Sequence, residues 1–60
     1  MNHYSIKKIN TGEQYEEENG NKYMLLGSSA WAVVNNNNQV RAFYSAKWIA
    51  KAEAELLNEA

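Results

Sequence analysis

A chain of 60 residues with no cysteine and one histidine has to hold its fold by packing alone. Disulfides and structural zinc, the usual staples of domains this small, are excluded by composition. A domain of this size buries only about 60% of the surface its unfolded chain exposes. Eight of the apolar residues are alanines, so 19 larger apolar or aromatic side chains remain to build a core. One small domain over residues 1–60 is expected. Its stability invites help from a partner or from self-association as a homodimer or larger homo-oligomer.

Seven glutamates and no aspartate stand against five lysines and one arginine, a net charge of −1. That balance disfavours a polybasic nucleic-acid binder. The start Met1-Asn2-His3-Tyr4-Ser5 leads to Lys7 and Lys8 without the apolar run of a secretory signal. The longest uncharged stretch, Tyr23 to Val40, is interrupted by Gly27, Ser28, Ser29 and the asparagines Asn35 to Asn38, so no membrane-spanning segment is expected. The absence of cysteine suits a reducing compartment, and the expected location is cytoplasmic.

Tyr4 to Ile9 alternates imperfectly, with Tyr4 and Ile6 on one face and Ser5 and Lys7 on the other, and reads as an edge strand protected by Lys7 and Lys8. After the turn cluster Asn10-Thr11-Gly12, segments Gln14 to Glu18 and Lys22 to Leu26 flank Asn19-Gly20, a strong hairpin signal. A two-residue type I′ turn there pairs Glu17 with Lys22 and Tyr15 with Met24, joining opposite charges and an aromatic with an aliphatic residue. A second hairpin, Ala30 to Val34 with Gln39 to Tyr44, closes around the asparagine run. Loops of two or four residues both set Val33 opposite Val40 and Trp31 opposite Ala42. Trp31, Val33, Val40, Ala42 and Tyr44 then share the expected core face. Ala32, Val34, Arg41 and Phe43 share a half-polar second face that calls for partial cover.

Ser45 is a suitable N-cap for a helix from Ala46 to about Asn58, built from strong helix formers. At 100° per residue, Trp48, Ile49, Ala52, Leu56 and Leu57 fall on one side and Lys47, Lys51, Glu55 and Asn58 on the other, while Ala46, Ala50 and Ala54 permit close approach. Lys47 near the start and Glu55 and Glu59 near the end oppose the helix dipole, so this helix depends on docking. The expected architecture is α+β: three or four antiparallel strands from two hairpins, with one C-terminal amphipathic helix packed on the sheet.

Catalysis has no visible seat. His3 has no positioned nucleophile or orienting carboxylate, and Gly12, Gly20 and Gly27 are turn residues rather than a phosphate loop. Glu13, Glu16, Glu17 and Glu18 lack the spacing of a calcium loop and read as a solvated arm or an acidic docking surface. No cofactor or metal is expected. Trp31, Arg41, Phe43, Tyr44 and Trp48 are of the types concentrated at the centres of protein interfaces. With Glu16, Glu17 and Glu18 they form the candidate protein-binding set. Joined by Lys47 and Lys51, the same aromatic and basic residues offer the alternative of a single-stranded nucleic-acid face. Glu53, between Ile49 and Leu57, lies at the helix edge and needs a basic partner if covered.

The cysteine-free, hairpin-rich front, followed by Phe43-Tyr44-Ser45-Ala46-Lys47-Trp48 and a helix ending Leu56-Leu57-Asn58-Glu59, resembles the small accessory proteins encoded by bacteriophages and prophages. That resemblance implies a protein that binds a host protein and redirects or inhibits it. The expected function is a non-catalytic inhibitor or adaptor of a larger cytoplasmic protein, with a nucleic-acid accessory role as the alternative.

Overall fold

The computed structural model describes residues 3–59. Five strands precede one helix: β1 (Ser5–Ile9), β2 (Gln14–Glu17), β3 (Lys22–Met24), β4 (Ala30–Val34), β5 (Gln39–Tyr44) and α1 (Lys47–Glu59). The α+β class and the C-terminal helix are as expected. The sheet has five strands rather than three or four, in the order β1-β4-β5-β2-β3, and it is not wholly antiparallel, because β2 lies parallel to β5.

Both hairpins turn through three residues instead of two or four. In the first, the Gly20 N–H donates to the Glu17 carbonyl and the Glu17 N–H to the Asn21 carbonyl, both at 2.9 Å. Gly20 has φ +91° and no positive φ occurs at Glu18 or Asn19. This is a type I turn closed by a left-handed residue, not a type I′ turn. The second hairpin repeats it: the Asn38 N–H donates to the Asn35 carbonyl at 3.0 Å, the Asn35 N–H to the Gln39 carbonyl at 2.9 Å, and Asn38 takes φ +61°. Asparagine side chains hold both turns. Asn19 Oδ1 accepts from the Asn21 N–H, and Asn35 Oδ1 accepts from the N–H groups of Asn37 and Gln39, each at 2.9 Å.

An odd loop shifts the register by one. Tyr15 therefore faces Tyr23 rather than Met24, and Glu16 rather than Glu17 faces Lys22. In the second hairpin Val34 faces Val40, and a bulge then sets Val33 opposite Ala42 and Trp31 opposite Tyr44. The expected pairs Val33–Val40 and Trp31–Ala42 do not form. Arg41 is the extra residue of the bulge, and the slip sends Val40 to the face opposite Val33.

The result is a core on each side of β4. Tyr4 and Val33 pack with Ala50 and Ala54 under the helix, joined by Ile6, Trp31, Tyr44 and Leu57. On the other face Ile9, Ala32, Val34 and Val40 are buried, with Tyr15, Leu25 and Phe43 against them. Ala30 to Val34 is an unbroken apolar run because both of its faces are covered. The cover on the second face is the β2–β3 ribbon. Ile9 ends β1 opposite Ala30, yet six residues later the Tyr15 ring meets Phe43 edge to face at 4.9 Å, and Glu16 pairs with Gln39 at the start of β5. The chain thus crosses the sheet between β1 and β2, and only Glu16 and Glu17 of the ribbon pair with β5.

Helix α1 docks through a different arc from the one its apolar residues mark. Ala50 and Ala54 are its buried residues, whereas Trp48 and Leu56 are 73% and 62% exposed and Ala52 faces solvent. Large rings rise from the sheet at Tyr4, Trp31 and Tyr44, so the facing helix must be small there for the backbones to approach. The Ala50 N–H donates to the Ala46 carbonyl at 3.2 Å, placing Ala46 rather than Ser45 at the N-cap.

Ala50→Leu is therefore expected to cost about 1–3 kcal/mol by overpacking, whereas Leu56→Ala should stay within about 0.5 kcal/mol of the parent. Urea denaturation of the two variants measures both, and the reverse order would place the helix on its other face. Gly20→Val puts a β-branched residue at φ +91° and should lower stability by about 1–2 kcal/mol. An unchanged melting temperature would remove the left-handed turn residue.

Candidate functional site

The bulge aims Arg41 at Tyr4, and this contact opens a polar network that joins three parts of the chain. Arg41 Nη1 donates to the Tyr4 hydroxyl and to Glu18 Oε1, each at 3.4 Å, with the guanidinium carbon 5.7 Å from the Tyr4 ring centre. The Tyr4 hydroxyl donates to Glu18 Oε2 at 3.0 Å, and Asn35 Nδ2 donates to the same oxygen at 3.0 Å. Asn35 Nδ2 also reaches Gln39 Oε1 at 3.1 Å, and Gln39 Nε2 donates to Glu16 Oε2 at 2.7 Å. The hydrogen bond to Tyr4, supported by the Glu18 charge, holds the Arg41 pKa above its ordinary value. Arg41–Glu18 is the one ion pair among the described residues.

This network is structural in its geometry. It seats the β2–β3 turn against the β4–β5 turn and so supports the short parallel contact between β2 and β5. A second clamp holds the chain's other end: Asn58 Oδ1 accepts from the Tyr4 N–H at 2.7 Å, and Asn58 Nδ2 donates to the Tyr4 carbonyl at 2.8 Å. One amide thus pairs with both backbone groups of Tyr4, as a neighbouring strand would, and ties the last turn of α1 to the start of β1.

The candidate binding residues are consequently dispersed. Trp31 and Tyr44 lie partly buried on the helix side, Phe43 on the opposite face, and Arg41 with Glu18 in the network. Lys8 and Lys47 bring their ammonium groups to 5.8 and 5.2 Å from the Trp31 ring. The basic and aromatic residues therefore do not form one continuous face. Glu16 and Glu18 are engaged internally, and Glu17 accepts only a long 3.5 Å contact from Asn19 Nδ2. Glu16, Glu17 and Glu18 are all half-buried, so the run is not a freely solvated arm.

Trp48 alone of that set stands free. With Ala52 and Leu56, at intervals of four residues, it makes an outward apolar stripe on α1, beside exposed Lys47, Lys51 and Glu55. Tyr23, Met24 and Leu26, the last 83% exposed, are further exposed apolar residues at and beyond the edge strand β3. Among the described residues no three His, Cys, Asp or Glu side chains gather as metal ligands would, and no helix is long and apolar enough to cross a membrane. Asn58 carried no signal of its role in the sequence, because its partner Tyr4 is 54 residues away, and the asparagine run marked the turn that Asn35 holds but not its bond to Glu18.

Compared with known proteins, the chain matches no protein family, no curated protein and no solved structure.

Glu18→Ala strips one acceptor from Tyr4, Asn35 and Arg41 together, and is expected to cost about 1–2 kcal/mol of stability. Equilibrium unfolding in urea measures it; a loss within about 0.3 kcal/mol would show that the network does not hold the β2–β3 ribbon in place.

Proposed function

We propose that this chain is a small non-catalytic protein-binding module, an inhibitor or adaptor of a larger cytoplasmic protein. The observation that supports the reading is the outward stripe of α1. A tryptophan 73% exposed and a leucine 62% exposed stand clear of the core in a chain that has only 19 large apolar or aromatic residues. Tryptophan is the residue type most enriched at interface centres, and an apolar helix ridge is the form in which one protein fills the groove of another. Lys47, Lys51 and Glu55 flank the stripe and supply orientation and selectivity. Inhibition would follow from occlusion: the helix covers a groove that the partner otherwise uses. The likeness to phage accessory proteins supports a bacterial host protein as that partner.

The partner surface thus moves from the acidic residues and sheet aromatics to the helix. Affinity capture of the tagged full chain from bacterial lysate, with and without nuclease and at low and high salt, tests the reading when run beside Trp48→Ala. A stoichiometric protein that survives nuclease and salt and falls at least tenfold with Trp48→Ala is the expected result. Nucleic acid recovered at low salt and lost steeply at high salt would overturn it. A melting temperature that rises with concentration in the parent and not in Trp48→Ala would instead assign the stripe to a second copy of the chain.

A further inference from the structure

The crossing of the β2–β3 ribbon leaves a cleft of about 270 Å³ on the sheet face opposite the helix. Its floor is apolar and well packed, made by Ile9, Val34 and Val40, all at most 5% exposed, with the Tyr15 ring beside them. Its rim is polar, made by Lys7, Gln14, Glu16, Lys22, Asn37 and Asn38. Lys7 comes from β1 and Lys22 from β3, the first and last strands of the sheet order, and the curl of the sheet brings both to one mouth. Like charges at a common opening are mutually unfavourable, and neither lysine has an ion-pair partner among the described residues. Glu16, the residue opposite Lys22 in the β2–β3 ladder, also lines the cleft as a carboxylate, held by the Gln39 amide at 2.7 Å. Two lysines against one glutamate leave the cleft with a surplus of positive charge over its apolar floor, in a chain whose net charge is −1.

An apolar base with a few convergent polar groups at the mouth of a curled sheet is the usual form of a small-ligand site. The volume is below that of drug-sized pockets, which limits the occupant to roughly a single ring or a short chain. We propose that the cleft binds a small organic monocarboxylate, its apolar body on Ile9, Val34, Val40 and Tyr15 and its carboxylate between Lys7 and Lys22. The ammonium groups supply charge-assisted hydrogen bonds to the carboxylate. The floor supplies the apolar contact that a bare inorganic anion cannot use. This site is separate from the α1 stripe and does not depend on it.

Amide NMR titration of the full chain with benzoate at constant ionic strength tests the assignment, with benzyl alcohol and inorganic phosphate as controls. Benzoate should give saturating shifts at Lys7, Ile9, Tyr15, Val34 and Val40, more tightly than either control. Lys7→Gln and Lys22→Gln, both at exposed positions, should each weaken binding about two- to fivefold without altering the fold. Phosphate acting as strongly as benzoate would reduce the site to a cationic patch, and benzyl alcohol acting as strongly would reduce it to an apolar hollow; either overturns the proposal. So does an absence of saturation up to about 50 mM benzoate.

Discussion

Everything in this fold rests on β4 being buried from both sides. Val33 and Val34 are adjacent and point in opposite directions, and each lies at the centre of its own cluster, one beneath α1 and one beneath the β2–β3 ribbon. A chain of this size cannot build one thick core, so it builds two thin ones on a shared strand. Losing either cover would expose half of the strand's apolar surface, and the cost falls on the whole domain because a chain without cysteine has no disulfide to take up the load.

Two consequences for function follow from that economy. The residues that attract attention in the sequence, Trp31, Arg41, Phe43, Tyr44 and the glutamates, are largely occupied in holding the covers on. Arg41 and Glu18 tie the ribbon through Tyr4 and Asn35, Phe43 seats Tyr15, and Trp31 and Tyr44 support the helix. What is left over is informative for the same reason. The alanine face of α1 docks against aromatic rings, which turns Trp48 and Leu56 outward. The ribbon covers most of the second face but leaves the cleft between Lys7 and Lys22.

The adverse charge order of α1 fits this picture. No acidic residue lies in the first turn and no basic residue in the last, so the helix gains nothing from its dipole. Packing at Ala50 and Ala54, together with the Asn58 clamp on Tyr4, holds it in place. A helix secured in this way is free to carry, on its outer side, a surface selected for something other than stability.

The strand segments, the helix and both turn positions were legible in the sequence, because alternation, helical periodicity and asparagine-glycine chemistry are local properties of a few residues, but that five strands join one sheet, rather than three or four, was not. The α+β class followed from them, as did the edge position of β1. The registers did not, since one residue more in the turn shifts the whole β2–β3 pairing and, in the second hairpin, turns Val40 over before the bulge restores the expected face, and neither Asn19-Gly20 nor the asparagine run specifies an odd loop by composition. The bulge at Arg41, the parallel contact of β2 with β5 and the arc on which α1 docks were decided only in three dimensions. Each depends on groups distant in the chain: Glu18 meeting Tyr4 and Asn35, Tyr15 meeting Phe43, and the alanines meeting rings that rise from the sheet. Local chemistry therefore set which elements exist, and long-range packing set which of their side chains are consumed in the core and which are left at the surface.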